Sequence, residues 1–156
     1  SDALLDRVKI PGSQIYRMPA DADDIQKAAE EYSSLLKKKL PASDDGQVQF
    51  DLVLLGMGDD GHTASLFPGT TILEETDKLV SAVYVDKMAT WRMSLTFPVI
   101  NNARNIAVLV AGENKKEILA KVLDDASTVP LYPVQMIQAR GNIDWYIDVA
   151  AAQSIS

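Results

Sequence analysis

The sequence predicts an α/β fold with a mostly parallel sheet. Residues 50–55 (FDLVLL) and 105–111 (NIAVLVA) are nearly continuous apolar runs rich in β-branched residues, which is typical of strands covered on both faces of a parallel sheet. One helical pattern precedes the first run and another follows the second, so strands alternate with helices. The chain has 156 residues, 47% of them hydrophobic, which is enough to bury the core of one domain. We therefore expect residues 1–156 to form a single α/β domain.

The first predicted element is an amphipathic helix over residues 21–40. Apolar residues recur in this segment at helical spacing, and Asp21 is a suitable N-terminal cap. Three consecutive lysines, residues 37–39, fall in its last turn, where positive charge complements the helix dipole. The strand over residues 50–55 follows. In a complete doubly wound sheet we expect it to be central, because its unbroken apolar run calls for cover on both faces and pairing on both edges. In this chain alone, without the first strands of the family fold, we expect one edge and part of one face to be exposed.

Two further strands are predicted in the middle of the chain, over residues 80–85 and 92–97. The second of them (RMSLTF) alternates polar with apolar residues. Successive side chains of a strand point to opposite faces, so this strand has one apolar and one polar face. The polar face is a candidate to point into a site.

The C-terminal part is predicted to add two helices and a short strand. Gly112 ends the strand over residues 105–111, and the segment GENKKEILAKVLDD then places apolar residues on one face of a helix. A proline-bearing loop leads to a short strand around residues 134–137. Residues 145–152, which combine aromatic residues and alanines, are expected to form a closing helix.

Composition and charge exclude several classes of function. The chain contains no cysteine and one histidine, so neither a disulfide framework nor a cysteine-based metal cluster is available, and we expect no metal and no cofactor. Its formal net charge of −7 repels nucleic-acid phosphates and argues against a nucleic-acid partner. No apolar run reaches membrane-spanning length and the first residues do not resemble a signal peptide, so we expect a cytoplasmic protein without a membrane partner.

A glycine-rich segment, GMGDDGHTASLFPG over residues 56–69, directly follows the predicted strand FDLVLL. Ligand sites in open α/β sheets lie beyond the carboxyl ends of strands, and glycines let the backbone turn sharply and approach a ligand closely. The segment also matches the dinucleotide fingerprint G-x-G-x-x-G. We disfavour dinucleotide binding because pyrophosphate would lie beside Asp59 and Asp60, and Pro68 interrupts the helix that the fingerprint requires.

His62 is the candidate general base in this segment. It is the only histidine of the chain, and it lies in a glycine-rich turn at the end of a buried strand. A neutral imidazole can accept a proton from water near neutral pH. Asp60, two residues earlier, either orients the imidazole ring or only forms the turn, and the sequence leaves both interpretations open.

The segment GMGDDGHTASLFPG resembles the signature of the 6-phosphogluconolactonase family. RMSLTFPVINNARNIAVLVAGENKKEIL and GNIDWYIDVAAA resemble the next and the closing blocks of that family, in the same order. The resemblance implies a Rossmann-like three-layer α/β/α sandwich, which is shared with glucosamine-6-phosphate isomerases. It also implies a hydrolase that converts 6-phospho-D-glucono-1,5-lactone to 6-phosphogluconate in the oxidative pentose phosphate pathway, so the expected partner is a phosphorylated sugar lactone.

The same resemblance implies roles for individual residues. His62 and Asp60 are expected to be catalytic, and backbone N–H groups around Gly58 to Gly61 are expected to stabilise the oxyanion. Substrate contacts are expected from Gly58, Gly61, Thr63, Lys87 and Arg92. For Lys87 a second interpretation, a solvated loop lysine, remains open.

Glucosamine-6-phosphate isomerases are the nearest competing family. Their corresponding segment also contains Asp-Gly-His, but a glutamate that supports the ring-opening histidine lies five residues beyond that histidine, where this sequence has Phe67. Residues 63–69 (TASLFPG) follow the lactonase pattern throughout. This favours a lactonase over an isomerase or deaminase.

The resemblance has one departure, at the start of the sequence. Members of the family normally carry another large N-terminal segment, which holds the first strands, a phosphate-binding loop and a substrate-contacting arginine. We expect a missing N-terminal segment or a second chain to complete the fold. Because these phosphate-binding elements are not recognisable here, a non-catalytic sugar-phosphate-binding domain stays open as an alternative, while a protein-interaction module is disfavoured.

Overall fold

The computed structural model describes residues 5–124 and 132–155 and confirms the α/β class with a mostly parallel sheet. The described strands are β1 (Val53–Gly56), β2 (Val80–Val85), β3 (Thr90–Leu95), β4 (Asn105–Val110) and β5 (Asn142–Ile147). The described α-helices are α1 (Ile25–Lys39), α2 (Phe97–Asn101) and α3 (Lys116–Leu123). Within these ranges, no helix has the length and apolar character that crossing a bilayer requires.

The main sheet has the order β1-β4-β5, and both of its strand pairs are parallel. Val53 pairs with Ile106, and Val108 pairs in turn with Trp145. Among the described residues β1 lies at an edge of this sheet and β4 lies in the middle, so one edge of β1 is exposed, as expected for this chain alone. Because the strands are parallel, the carboxyl ends of β1 and β4 lie at the same end of the sheet.

One face of the main sheet is covered and the other is open. Val53, Leu55 and Val108 point into the main hydrophobic cluster together with residues of α2 and α3. On the opposite face, Leu54, Leu109 and Tyr146 are 58%, 50% and 60% exposed. We call these three side chains the open face. An exposed sheet face agrees with the expectation for this chain alone, within the residues that the structure describes.

Strands β2 and β3 form an antiparallel hairpin that is a separate two-stranded sheet. Met93 faces the cluster that packs against α1, whereas Val83 and Val85 face the main cluster. Arg92 pairs with Val83 across the hairpin, so Arg92 and Ser94 point to the same side as Val83. The alternation of RMSLTF is therefore real, and its polar side faces the interior of the molecule.

Helix α1 begins later than predicted. Its N-terminal cap is Asp24, whose carboxylate accepts a hydrogen bond from the backbone N–H of Lys27 at 3.0 Å. Asp21 instead pairs with Arg17 at 2.9 Å. Both aspartates precede the same helical pattern, and the one whose carboxylate reaches the free N–H groups of the first turn becomes the cap.

The C-terminal part holds two corrections. Residues around the predicted strand 134–137 form a 3-10 turn (Pro133–Met136), and the predicted closing helix is strand β5 followed by a second 3-10 turn (Ala151–Ser154). The aromatic and β-branched residues of β5 favour a strand, and pairing with β4 outweighs the helical preference of the alanines that follow. The helix predicted after Gly112 is confirmed as α3.

Candidate active site

The candidate active site lies at the carboxyl end of β1, in the loop of residues 57–62. Two backbone hydrogen bonds close this loop on itself: the N–H of Gly58 donates to the carbonyl of His62 at 2.8 Å, and that of Gly61 donates to the carbonyl of Gly58 at 3.1 Å. The loop directly follows the last residue of β1, so it holds His62 near the carboxyl end of this strand.

Two glycines of this loop are required by space and backbone angle. A Cβ atom at Gly58 would overlap Nδ1 of His62, so the imidazole ring lies directly against the Gly58 backbone. Gly61 has φ of +72° and packs closely against the side chain of Tyr132. Both positions therefore shape the site, and the N–H groups of both are already used within the loop.

Asp60 connects His62 with Lys87. Its Oδ1 lies 2.6 Å from Nδ1 of His62, and its Oδ2 accepts a hydrogen bond from Nζ of Lys87 at 2.9 Å. Asp60 also accepts the backbone N–H of His62 at 3.3 Å, so it forms the turn as well as contacting the ring. Asp60 is therefore more than a turn former in this geometry, because the same carboxylate contacts both the backbone of the turn and the imidazole ring.

The charge of Asp60 fixes where the imidazole carries its proton. Partial burial of Asp60 acts to raise its pKa, but hydrogen bonds from His62 and Lys87 outweigh burial and lower the pKa to about 2. An ionised carboxylate only accepts hydrogen bonds, so the Nδ1 atom of His62 must be the donor in this contact. In the neutral imidazole, Nε2 then carries the free lone pair and is able to accept a proton.

Phe67 stacks against the imidazole of His62. The ring centroids are 4.1 Å apart and the ring planes are inclined by 26°. Phe67 is buried in the main hydrophobic cluster. From the sequence Phe67 served only to separate lactonases from isomerases, and its contact with His62 was missed. The signal for this contact is that Phe67 follows His62 by five residues, with a turn between them.

Thr63 has a structural role in the free protein. Its side chain is buried, and its hydroxyl donates to the carbonyl of Gly56 at 2.8 Å. The hydroxyl is therefore used to hold the loop against the end of β1.

Arg92 lies on the inward side of β3, next to the turn that carries Lys87. Its Nε atom is buried without a hydrogen-bond partner among the described residues. Its Nη2 atom donates a weak hydrogen bond to the thioether sulfur of Met88 at 3.6 Å. A neighbouring side chain, Ser94, accepts the backbone N–H of Ser65 at 3.0 Å and so ties β3 to the loop after His62. Arg92 is thus a cation with a donor that is unpartnered within the described part of the chain, on the strand that Ser94 ties to the glycine-rich segment.

A second ion pair joins the loop after β1 to the loop after β4. Asp59 pairs with Lys115, and Asn114 donates to the same carboxylate at 3.3 Å. The hydrogen bond from Lys115 lowers the pKa of Asp59. Lys115 is mostly buried. It was not identified from the sequence, because it lies near the lysine-containing start of a helix and belongs to no recognisable motif.

Two other arginines lie at the opposite end of the sheet. Arg104, which precedes β4, pairs with Asp51 at 2.6 Å, and Arg140, which precedes β5, pairs with Asp45 at 2.5 Å. Both are neutralised by a carboxylate. They are separated from His62 by the length of the strands.

Comparison with protein families gives one match over most of the chain. Residues 1–145 match the family model of glucosamine-6-phosphate isomerases/6-phosphogluconolactonase. The chain is similar to the 6-phosphogluconolactonase of Synechocystis, with 37% identity over 153 residues, and to that of Homo sapiens, with 36% identity over 155 residues. Each alignment covers 98% of this chain, but the chain spans only 63% and 58% of the length of these relatives.

Solved structures show the same relationship in three dimensions. The chain superposes on the crystal structure of a devB protein with a TM-score of 0.86 and 33% identity, covering 99% of this chain and 65% of that one. The 6-phosphogluconolactonase of Trypanosoma brucei gives a TM-score of 0.73 at 31% identity, covering 92% and 59% of the two chains. A monomeric glucosamine-6-phosphate deaminase, at 21% identity and a TM-score of 0.64, shares the fold.

Proposed function

Because the chain belongs to the glucosamine-6-phosphate isomerase/6-phosphogluconolactonase family, we propose that it hydrolyses 6-phospho-D-glucono-1,5-lactone to 6-phosphogluconate. The observation that carries this proposal is the pair of Asp60 and His62 at the carboxyl end of β1, with Nδ1 of the imidazole 2.6 Å from the carboxylate. This contact leaves Nε2 as the proton acceptor. A lactone needs only a positioned water, a base and donors for the oxyanion, so no cofactor enters the reaction.

The surroundings of His62 favour a lactonase over an isomerase or deaminase. The isomerase pattern places a supporting glutamate five residues beyond the histidine, and this chain has Phe67 there, stacked on the imidazole. The carboxylate that serves His62 comes from the other side, from Asp60. This chain therefore does not have the glutamate that supports the ring-opening histidine in isomerases at that position.

The proposed reaction begins with a water molecule held by His62. Nε2 takes a proton from the water as its oxygen attacks the lactone carbonyl carbon, and Asp60 stabilises the imidazolium that forms. The bond between the carbonyl carbon and the ring oxygen then breaks, and the imidazolium returns the proton to that oxygen. General base assistance of this kind contributes about 10²- to 10⁴-fold to the rate.

The oxyanion formed during attack requires hydrogen-bond donors close to His62. The N–H groups of Gly58 and Gly61 are used inside the loop, whereas those of Asp59 and Asp60 have no backbone acceptor within the described residues. We therefore propose the amides of Asp59 and Asp60 as donors. One such donor contributes about 10²- to 10³-fold.

The phosphate of the substrate requires a cation, and Arg92 is the best candidate. Its buried Nε lacks a partner among the described residues, which is costly unless a ligand supplies an acceptor. A guanidinium binds phosphate oxygens through paired hydrogen bonds. Lys87 is proposed as a second cation near the substrate, although in the free protein its ammonium is paired with Asp60.

The open face of the sheet supports a further part of the proposal, that additional polypeptide completes the fold. Three large apolar side chains at least half exposed on one sheet face are unusual for a stable domain, and the relatives are longer than this chain. An N-terminal segment or a second chain that covers this face would also supply the phosphate-binding elements that the sequence lacks.

Lactone hydrolysis is tested with freshly prepared 6-phosphogluconolactone, after correction for spontaneous opening of the ring. We expect His62→Ala to lower the catalysed rate by at least about 10²-fold while the circular dichroism spectrum stays unchanged. A variant that keeps more than about a tenth of the parent rate would remove His62 from the mechanism. Tight binding of 6-phosphogluconate without any turnover would instead establish the alternative, a non-catalytic sugar-phosphate-binding domain.

A further inference from the structure

We propose that Phe67 is a positioning residue that fixes the plane of the His62 imidazole and thereby aims Nε2 at the attacking water. This inference deepens the proposed lactonase function and rests on it. It gives a role to a side chain that, from the sequence, only distinguishes two families.

The hydrogen bond to Asp60 cannot fix the imidazole on its own. It holds Nδ1 at 2.6 Å from the carboxylate, but a single hydrogen bond leaves the ring free to turn about that contact. Turning the ring moves Nε2, which lies on the far side. The face of Phe67, 4.1 Å from the imidazole centroid and inclined by only 26°, blocks this rotation. The backbone of Gly58 limits the ring at the Nδ1 edge.

Phe67 itself is held firmly. The chain folds back between His62 and Phe67 through a tight turn in which the N–H of Leu66 donates to the carbonyl of Thr63 at 2.9 Å. Ala64 adopts a left-handed conformation in this turn, with φ of +50°. Leu66 is fully buried, and Phe67 is 7% exposed in the main cluster. The stacking face is therefore part of the core and not a mobile side chain.

An aromatic hydrocarbon ring neither donates nor accepts the proton that the reaction moves. Phe67 therefore acts only through His62, by closing one face of the imidazole and leaving the rest of the ring accessible. The His62 side chain is 28% exposed, so water still reaches it. Misplacement of a reacting group by about 1 Å costs up to about 10²-fold in rate, which sets the scale of the expected effect.

The test compares Phe67→Leu with Phe97→Leu. Phe97 is a matched control because it is also 7% exposed and belongs to the same cluster, but it does not stack on His62. Leucine keeps both sites apolar, and we expect both variants to lower Tm by about 2 to 4 °C. Only Phe67→Leu should lower kcat for the lactone, by about 10- to 100-fold, with KM nearly unchanged.

A variant that keeps the aromatic ring tests whether the flat face is what positions the imidazole. Phe67→Tyr keeps the stacking face, and the adjoining cleft of about 380 Å³, lined by Pro68, Thr70 and Val85 among others, has room for the added hydroxyl. We expect this variant to keep most of the parent kcat. A loss as large as that of Phe67→Leu would show that a flat ring at this position does not suffice to position the imidazole, and would overturn the inference.

A second measurement does not depend on catalysis. His62 is the only histidine, so its ring hydrogens give a single set of proton NMR signals. Stacking on Phe67 should shift these signals upfield through the ring current, and Phe67→Leu should return them toward the positions of free histidine while Phe97→Leu leaves them in place. The signals follow the contact whether or not the protein turns over substrate.

The two measurements distinguish failure of this inference from failure of the proposed function. No hydrolysis by the parent protein, either alone or joined to the N-terminal segment of a 6-phosphogluconolactonase relative, overturns the function and the catalytic half of the inference. The NMR signals still test whether Phe67 positions the ring. An active protein whose Phe67→Leu variant keeps the parent kcat overturns the inference alone. Histidine signals that move no further in Phe67→Leu than in Phe97→Leu also overturn it.

Discussion

Replacing Asp60 by asparagine tests the central contact of the site. The change keeps the size of the side chain but removes the charge that pairs with His62 at 2.6 Å and with Lys87 at 2.9 Å. It should therefore affect both the stability of the folded protein and the protonation pattern of the imidazole. The two effects have different magnitudes and different pH dependence.

The stability effect follows from the pKa of Asp60. Lowering this pKa from 3.8 to about 2 corresponds to about 2 kcal/mol at 1.36 kcal/mol per unit. Because the Asp60 side chain is 25% exposed and its lysine partner 69% exposed, water screens the interaction, and we expect about 1 kcal/mol. A carboxyl group with a lower pKa in the folded state stabilises the protein above its unfolded pKa. The contribution is therefore complete above about pH 5 and is lost as the pH falls through about 2.

The kinetic effect follows from the tautomer of His62. Asparagine can turn its amide N–H toward Nδ1, which leaves the ring proton on Nε2 and removes the base. We expect kcat to fall by about 10² to 10⁴-fold. KM should change less, because Asp60 does not contact the phosphate in the proposed mechanism.

The assay combines lactone hydrolysis at neutral pH with thermal melting from pH 7 to pH 3. Asp45→Asn is the matched control, since Asp45 also pairs with a cation, Arg140, but lies at the opposite end of the sheet. We expect Asp60→Asn to melt about 2 to 4 °C below the parent at pH 7, with a difference that narrows as the pH falls. The reasoning is refuted by a melting difference that stays constant over this range, or by a kcat that matches that of Asp45→Asn.

Three further predictions follow from the remaining parts of the site. Arg92→Met should raise KM for the phosphorylated lactone and leave hydrolysis of unphosphorylated gluconolactone almost unchanged, and equal damage with both substrates would assign Arg92 to the fold or to the reacting carbonyl. A chelator should leave lactonase activity unchanged, because one histidine and no cysteine are an unlikely ligand set for catalytic zinc; activity lost on chelation and restored by zinc would contradict this. Joining the chain to the N-terminal segment of a 6-phosphogluconolactonase relative should raise both Tm and activity by covering the open face, and unchanged values would show that the segment is dispensable.

Short sequence patterns predicted the elements that depend mainly on residues close together in the sequence. The unbroken apolar runs identified β1 and β4, and the glycine-rich segment placed His62 at the end of a strand. The pairing of Asp60 with His62 is a contact within one turn, so residue spacing was enough to suggest it.

Contacts between distant segments were not predictable in the same way. Lys87 reaches Asp60 across 27 positions, which depends on how the hairpin docks against the main sheet. The strand β5 was taken for a helix because its partner β4 is far away in the sequence, and the alanines beside it favour a helix in isolation.

The division of the described strands into two sheets has a consequence for the order of folding. The hairpin pairs Val85 with Thr90 across a short turn, whereas β1 pairs with β4 only after the whole hairpin has been traversed. Closing the longer loop costs more chain entropy, so we expect the hairpin to form early and the parallel sheet late. His62 and Asp60 belong to the late sheet, and Lys87 belongs to the early hairpin. The ion pair of Asp60 and Lys87 therefore forms only when the two sheets dock, and the complete charge arrangement around the imidazole is among the last features that the folding chain acquires.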